Sequence, residues 1–239
     1  MAKLDKSQYT KEEWQIIRER RRIEKEVSRS QKQAHKFKKT NGAESNMCFV
    51  LGNGTSRSSV YSKELVPYGK TYGCNALYRT FSPDYLVAVD VKMVLEINKS
   101  GYQYNNEVWT NPNKAYTHMK NLNLFQPSKG WSSGPTALWL AAQHGYEKIY
   151  ILGFDFAGLG EDKKFNNIYA DTPNYKKSYD GATFFGNWLR QTKTIMTTYK
   201  NTKFIRVKAA DNYTPPELNK FDNYSEIDVK HFKIQFDLS

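Results

Sequence analysis

The stretch from Ser132 to Phe156, SSGPTALWLAAQHGYEKIYILGFDF, constrains the fold of this chain more than any other. Ser133 can cap a helix, Pro135 fits a first helical turn, and Ala137, Leu138, Leu140, Ala141 and Ala142 form one broad apolar face. The chain turns at Gly145, and the run Ile149-Tyr150-Ile151-Leu152 is then apolar on both faces, as in a strand covered on both sides of a parallel sheet. A helix feeding such a strand makes an α/β layer. Asp155 falls at the strand's carboxyl end, where open α/β sheets bind ligands.

The same unit recurs upstream. Met47 to Leu51 is a short apolar run followed directly by Gly52-Asn53-Gly54-Thr55-Ser56 and a helical segment over 58–66. A strand ending in a Gly-rich, hydroxyl-rich turn points several backbone N–H groups at one place, which suits phosphate. A plain tight turn has the same appearance, and GNGTS lacks both the full GxGxxG and the GxxxxGK[ST] forms. Lys70 to Asn75 reads as a second strand, and Ser82-Pro83-Asp84 as a turn. Tyr85 to Asp90 is a third strand that also ends in an acid. A helix over 91–97, a short strand over 107–110 and an Asn-rich, partly helical crossover over 111–124 complete the approach to Ser132.

Residues 157–181, AGLGEDKKFNNIYADTPNYKKSYDG, have the length and composition of an active-site lid. A helix over 181–199 follows, with Phe184, Phe185, Trp188, Leu189, Ile195 and Met196 as its buried positions, and then a strand over 203–207. Residues 211–239 read as a C-terminal tail with some alternation over 231–236 and no functional reading. The order predicts one α/β domain over 47–210, a single doubly wound, mainly parallel Rossmann-like sheet.

A different element is expected at the amino end. Thr10 and Glu13 form a capping box, and 11–39 contain no Pro or Gly, so a long helix is predicted there, followed by a linker over 41–46. Ile16, Ile23, Val27, Ala34 and Phe37 give it a narrow, coiled-coil-like stripe that suits self-association or a partner helix, although a solvated helix lying across the body shows the same pattern. Residues 1–40 carry 13 Lys and Arg against 6 Asp and Glu, net +7 of the chain's +12. Such an arm suits nucleic acid, a membrane surface or an acidic partner, but its arginines circle the helix, which weakens the nucleic-acid reading. No apolar run approaches the roughly 18 residues of a membrane span, and the charged start has no secretory h-region, so a cytoplasmic location is expected. Two cysteines, Cys48 and Cys74, without a CxxC or a nearby His pair, argue against a zinc site and a disulfide framework.

Four segments in order, FVLGNGTS, YGCNALY, the strand ending in Asp90, and SSGPTALWLAAQHGYEKIYILGFDF, resemble the bacterial sialyltransferase-like glycosyltransferases of family 42. The resemblance covers roughly 47–179. The portion Ser82-Pro83-Asp84…Asp90 also resembles the related hydroxymethylpterin diphosphokinase (MptE-like) proteins. The resemblance implies a variant of the GT-A-like sialyltransferase fold and a cytidine nucleotide-sugar donor. It puts Gly52, Asn53, Gly54, Thr55 and Ser56 at the nucleotide phosphate and Asn75 at the donor nucleotide or sugar. Ser133 and Gly134 fall at the base or ribose, Asp155 and Phe156 at the ribose and base edge, and Asp90 where the sialyltransferases have an Asn.

The family's lid carries a catalytic His; residues 157–199 of this chain contain none. Transfer here therefore needs another base, and Asp171, Asp180 or a lid tyrosine such as Tyr169, Tyr175 or Tyr179 are the candidates. The expected activity is metal-independent single displacement from a nucleotide sugar, CMP-linked as the resemblance implies, to an acceptor hydroxyl. Two rivals stand beside it: pyrophosphoryl transfer to a pterin-like alcohol, and a non-catalytic binding or assembly module anchored by the basic arm.

Overall fold

The computed structural model describes residues 46–209 and 211–239, together with Thr10 and Trp14. The long helix expected over 11–39, the basic arm and most of the linker lie outside the described residues.

Eight parallel strands form one sheet: β1 (Met47–Leu51), β2 (Lys70–Cys74), β3 (Tyr85–Val87), β4 (Val108–Thr110), β5 (Asn123–Leu124), β6 (Lys148–Leu152), β7 (Lys203–Lys208) and β8 (Tyr224–Asp228). Their order is β5-β4-β3-β2-β1-β6-β7-β8. The chain builds outward from β1 in one direction, returns across the sheet, and builds outward again from β6, which is the doubly wound topology. Leu51 pairs with Leu152, so the ends of β1 and β6 lie side by side at the point where the order reverses.

Period-two alternation in β1 divides the core. Phe49 and Leu51 face one side, with Tyr150, Leu152, Leu86 and the helices α2 (Val91–Ser100) and α5 (Val229–Phe236). Cys48 and Val50 face the other, with Ile149, Ile151, Phe204 and the helices α3 (Ser133–Gln143) and α4 (Gly186–Thr198). A short helix, α1 (Ser62–Leu65), buries Leu65 on the first side. Coverage of both faces explains why the central strands carry almost no polar side chains. No helix among the described residues is long and apolar enough to cross a membrane.

Three segments differ from expectation. Residues 211–239, read as a tail, complete the sheet with β8 and cover it with α5, whose Phe232 and Phe236 pack on Phe49 and Tyr150 with ring centroids 5.1–6.3 Å apart. The region read as a helix over 58–66 is a 3-10 turn, Thr55–Ser59, followed by α1. The helix expected from Gly181 begins at Gly186; 181–185 stay irregular, and Phe184, expected to be buried, is 76% exposed.

Candidate functional site

Two glycine-containing turns set the floor of the site. The Gly52 N–H donates to Leu152 O at 2.8 Å and the Gly54 N–H to Gly153 O at 3.0 Å, so the chain leaving β1 is bonded to the chain leaving β6. A Cβ on Gly52 would stand 2.5 Å from Gly153 O, and one on Gly153, whose φ is +67°, 2.7 Å from Gly52 O. Only glycine permits this approach without moving backbone.

The turn uses its own donors. The Thr55 N–H and hydroxyl both reach Asn166 Oδ1, at 2.9 and 2.8 Å, and the Ser56 N–H reaches Asp155 Oδ2 at 3.1 Å. The Ser56 hydroxyl also bonds the Asp155 carboxylate. The N–H groups expected to cradle phosphate are thus occupied by protein oxygens in this conformation. Phosphate can meet them only after Asn166 and the lid segment around it shift.

Asn53 is 3% exposed, and its Nδ2 donates to Cys74 O at 3.1 Å and to the Tyr175 hydroxyl oxygen at 3.4 Å. Its Oδ1 has no partner. Asn75 sits at φ +50°, a left-handed conformation that Asn tolerates better than most residues, and its buried Oδ1 is also unpartnered. Leaving a buried acceptor unmet costs roughly 1–3 kcal/mol, so two of them lining one crevice call for a donor-bearing ligand or water. The Tyr175 hydroxyl oxygen also accepts from the Ala76 N–H at 3.3 Å. With both bonds accepted, its own proton has no acceptor among the described residues. Burial pushes the Tyr175 pKa up, so the hydroxyl stays protonated and acts as a donor.

Asn75 joins two spaces. A small, partly open chamber of about 80 Å³ is walled by Asn53, Asn75, Asp155, Asn166 and Trp188, among others. A wider cleft of about 440 Å³ opens beside Asn75, Asp90, Lys92, Asn174 and Tyr175. The cleft has the size of ordinary small-ligand pockets, whereas the chamber admits only a fragment of a ligand.

The remaining expected site residues are distributed unequally. Asp155 is 7% exposed and clamps the 3-10 turn through Ser56. Phe156, at φ +53°, lies under the Arg206 guanidinium, 5.4 Å from its ring centroid. Arg206 in turn bonds Asp155 O at 3.4 Å, Tyr213 O at 2.9 Å and Glu226 at 3.0 Å. The Ser133 hydroxyl accepts from the Val89 N–H at 3.1 Å, tying the start of α3 to the end of β3. Gly134 lies against Trp188, where a Cβ would meet the indole at 2.4 Å. In this conformation Ser133 and Gly134 hold the wall together and face no open space. Asp84 bonds Lys70 and Thr71 at the amino ends of the strands, opposite the cleft, so of the Ser-Pro-Asp…Asp90 pair only Asp90 borders it. His144 shares a 2.5 Å hydrogen bond with the Tyr72 hydroxyl at the end of α3, and burial lowers its pKa.

The lid is anchored on the far side of the cleft. Arg79 donates to Thr172 Oγ1 at 2.8 Å and Pro173 O at 2.9 Å while pairing with Glu96 at 2.6 Å, and Asn174 Nδ2 donates to the same Glu96 at 2.6 Å. Closer to the turn, the Ile168 N–H donates to Asn53 O at 2.8 Å. Asn166, Asn167, Thr183, Phe185 and Trp188 reach the chamber although none was a candidate ligand contact from sequence. The paired amides Asn166-Asn167, in a loop otherwise rich in charge, were the available signal.

Comparisons with family models, curated proteins and solved structures give no match. The arrangement itself defines a doubly wound α/β domain with a polar crevice at the switch point, bounded by the long loop over 157–181.

Proposed function

We propose that this chain is a glycosyltransferase acting on a nucleotide-activated, CMP-linked sugar by metal-independent single displacement. The observation that carries this reading is the set of unmet hydrogen-bonding groups at the switch point: Asn53 Oδ1 and Asn75 Oδ1 as acceptors and the Tyr175 hydroxyl as donor. Ribose and sugar hydroxyls supply donors to the two amide oxygens. A phosphate oxygen supplies the acceptor for Tyr175, which strengthens its bond as negative charge develops on the leaving group. The order of GNGTS, YGCN, Asp90 and the Ser133–Phe156 segment supports a cytidine nucleotide over others through the family resemblance.

A nucleotide sugar exceeds the small chamber, so its bulk lies in the wider cleft and only a hydroxyl-bearing part enters beside Asn53. A single displacement inverts the configuration at the anomeric carbon. Calorimetric titration with CMP, CDP and UDP, together with an assay of nucleotide-sugar hydrolysis, tests the reading. Binding of CMP in preference to UDP is expected; absence of binding and of hydrolysis with every nucleotide overturns it.

A further inference from the structure

Five aspartates stand on the crevice or its lid, and four are engaged. Asp155 accepts twice from Ser56, Asp162 pairs with Lys164 at 3.7 Å, Asp171 accepts from the Ser178 N–H at 3.1 Å, and Asp180 accepts from the Lys177 N–H at 2.8 Å. The last two close turns within the lid itself. Asp90 differs from all of them. It is the N-cap residue of α2, exposed, and its main-chain oxygen accepts from the Val94 N–H at 3.0 Å, but its carboxylate makes no capping bond and has no hydrogen-bond or ion-pair partner among the described residues. It lines the wider cleft together with Asn75 and Tyr175, on the open side of the crevice by which an acceptor molecule can enter.

Resting on the transferase reading above, we infer that Asp90 is the general base of this site, in a chain whose lid offers no histidine. Its carboxylate takes the proton of the acceptor hydroxyl as that oxygen forms its bond to the anomeric carbon of the donor. The bond from that carbon to the phosphate oxygen breaks in the same step, and its electron pair leaves with the nucleotide phosphate. The proton on Asp90 is then released to solvent. Asp171 and Asp180 do not serve this role, because each carboxylate is turned into the loop that carries it. Tyr175 does not serve it either, since its hydroxyl is a donor in this site.

The Asp90→Asn variant tests the role cleanly, because Asn ranks with Asp as an N-cap residue and α2 is preserved. Hydrolysis or transfer from a CMP-linked sugar is expected to fall by about 10²–10⁴-fold, with CMP affinity within about threefold of the native protein. Added formate is expected to restore part of the rate to Asp90→Ala, by standing in for the missing carboxylate. Thermal unfolding confirms that both variants fold. Turnover by Asp90→Asn within threefold of native, in a protein that does bind and turn over the donor, overturns the assignment of Asp90 alone. A native protein that neither binds CMP nor hydrolyses any nucleotide sugar removes the transferase reading and the role of Asp90 with it.

Discussion

Two strands of this sheet, β3 and β6, lead into an aspartate on the same side of the molecule, and the two aspartates have opposite fates. Asp155 follows β6 and is clamped: Ser56 bonds its carboxylate, Arg206 bonds its carbonyl and covers the next residue, and only 7% of its surface is exposed. Asp90 follows β3 and begins a helix without using its side chain. The difference arises in what the chain does next. After Asp155 it turns through a left-handed Phe156 into the lid, and neighbours close over it. After Asp90 it enters α2, whose first residues line the cleft beside the carboxylate without bonding it. A strand-end acid therefore marks a position in the fold, and the local hydrogen bonds decide whether it is structure or chemistry.

Replacing Arg206 is the most severe way to break the clamped side. Arg206→Ala removes a buried guanidinium and leaves Asp155 O and Tyr213 O without their donor, while Glu226 keeps Lys208, Thr214 and Tyr224; the expected cost is about 2–5 kcal/mol by urea unfolding. Asp155→Ala is expected to cost about 1–3 kcal/mol in the same measurement, because it leaves the Ser56 N–H without its acceptor. If Asp155→Ala unfolds no more easily than the native protein, the clamp is not what distinguishes the two acids.

Tyr175→Phe deletes the spare donor and is expected to weaken CMP binding about tenfold in calorimetry, the effect of one hydrogen bond of roughly 1.4 kcal/mol. Acid provides a milder probe of the lid anchor. Burial disfavours the charged form of Glu96, but hydrogen bonds from Arg79, Tyr78 and Asn174 outweigh that penalty and hold its pKa below the ordinary value. A depressed carboxylate contributes stability above its unfolded pKa of about 4.3 and loses that contribution as pH falls through the lower folded value. Proteolytic cleavage between 165 and 180 by an acid-active protease is therefore expected to accelerate below about pH 4 and to be steady between pH 5 and 7. The smallest effect belongs to the open side: Asp90→Asn should alter unfolding free energy by less than about 0.5 kcal/mol, in contrast to Asp155→Ala.

Much of the centre of the fold was legible in the sequence. The apolar runs of β1 and β6 show double-sided burial directly, and the glycine turns after them mark where the strands end. The outer parts were not legible for identifiable reasons. In α5 the residues Phe232, Ile234 and Phe236 alternate at period two, yet only Phe232 and Phe236, one helical turn apart, are buried in the core. β5 has two residues, both exposed, and no composition signal. In the site, Asn53 and Asn75 could be located from their turns. That Ser133 supports Val89, that Trp188 covers Gly134 and that Asn166 occupies the Thr55 donors depends on contacts between segments 44 to 111 positions apart.

The glycines at 52, 54 and 153 carry a consequence for how such a site can change. Each would drive a Cβ into a carbonyl or, at Gly54, into the Asp155 carboxylate at 2.5 Å, so at these three positions the floor is written in main chain and offers no side chain to lengthen, shorten or recharge. Any retuning toward a different ligand must come from Asn53, between two of them, or from the walls, at Asn75, Asn166, Thr183, Phe185 and Trp188. Diversity of specificity on this scaffold is thus confined to the lid, the start of α4 and the turn after β2, while the ground beneath the ligand stays fixed.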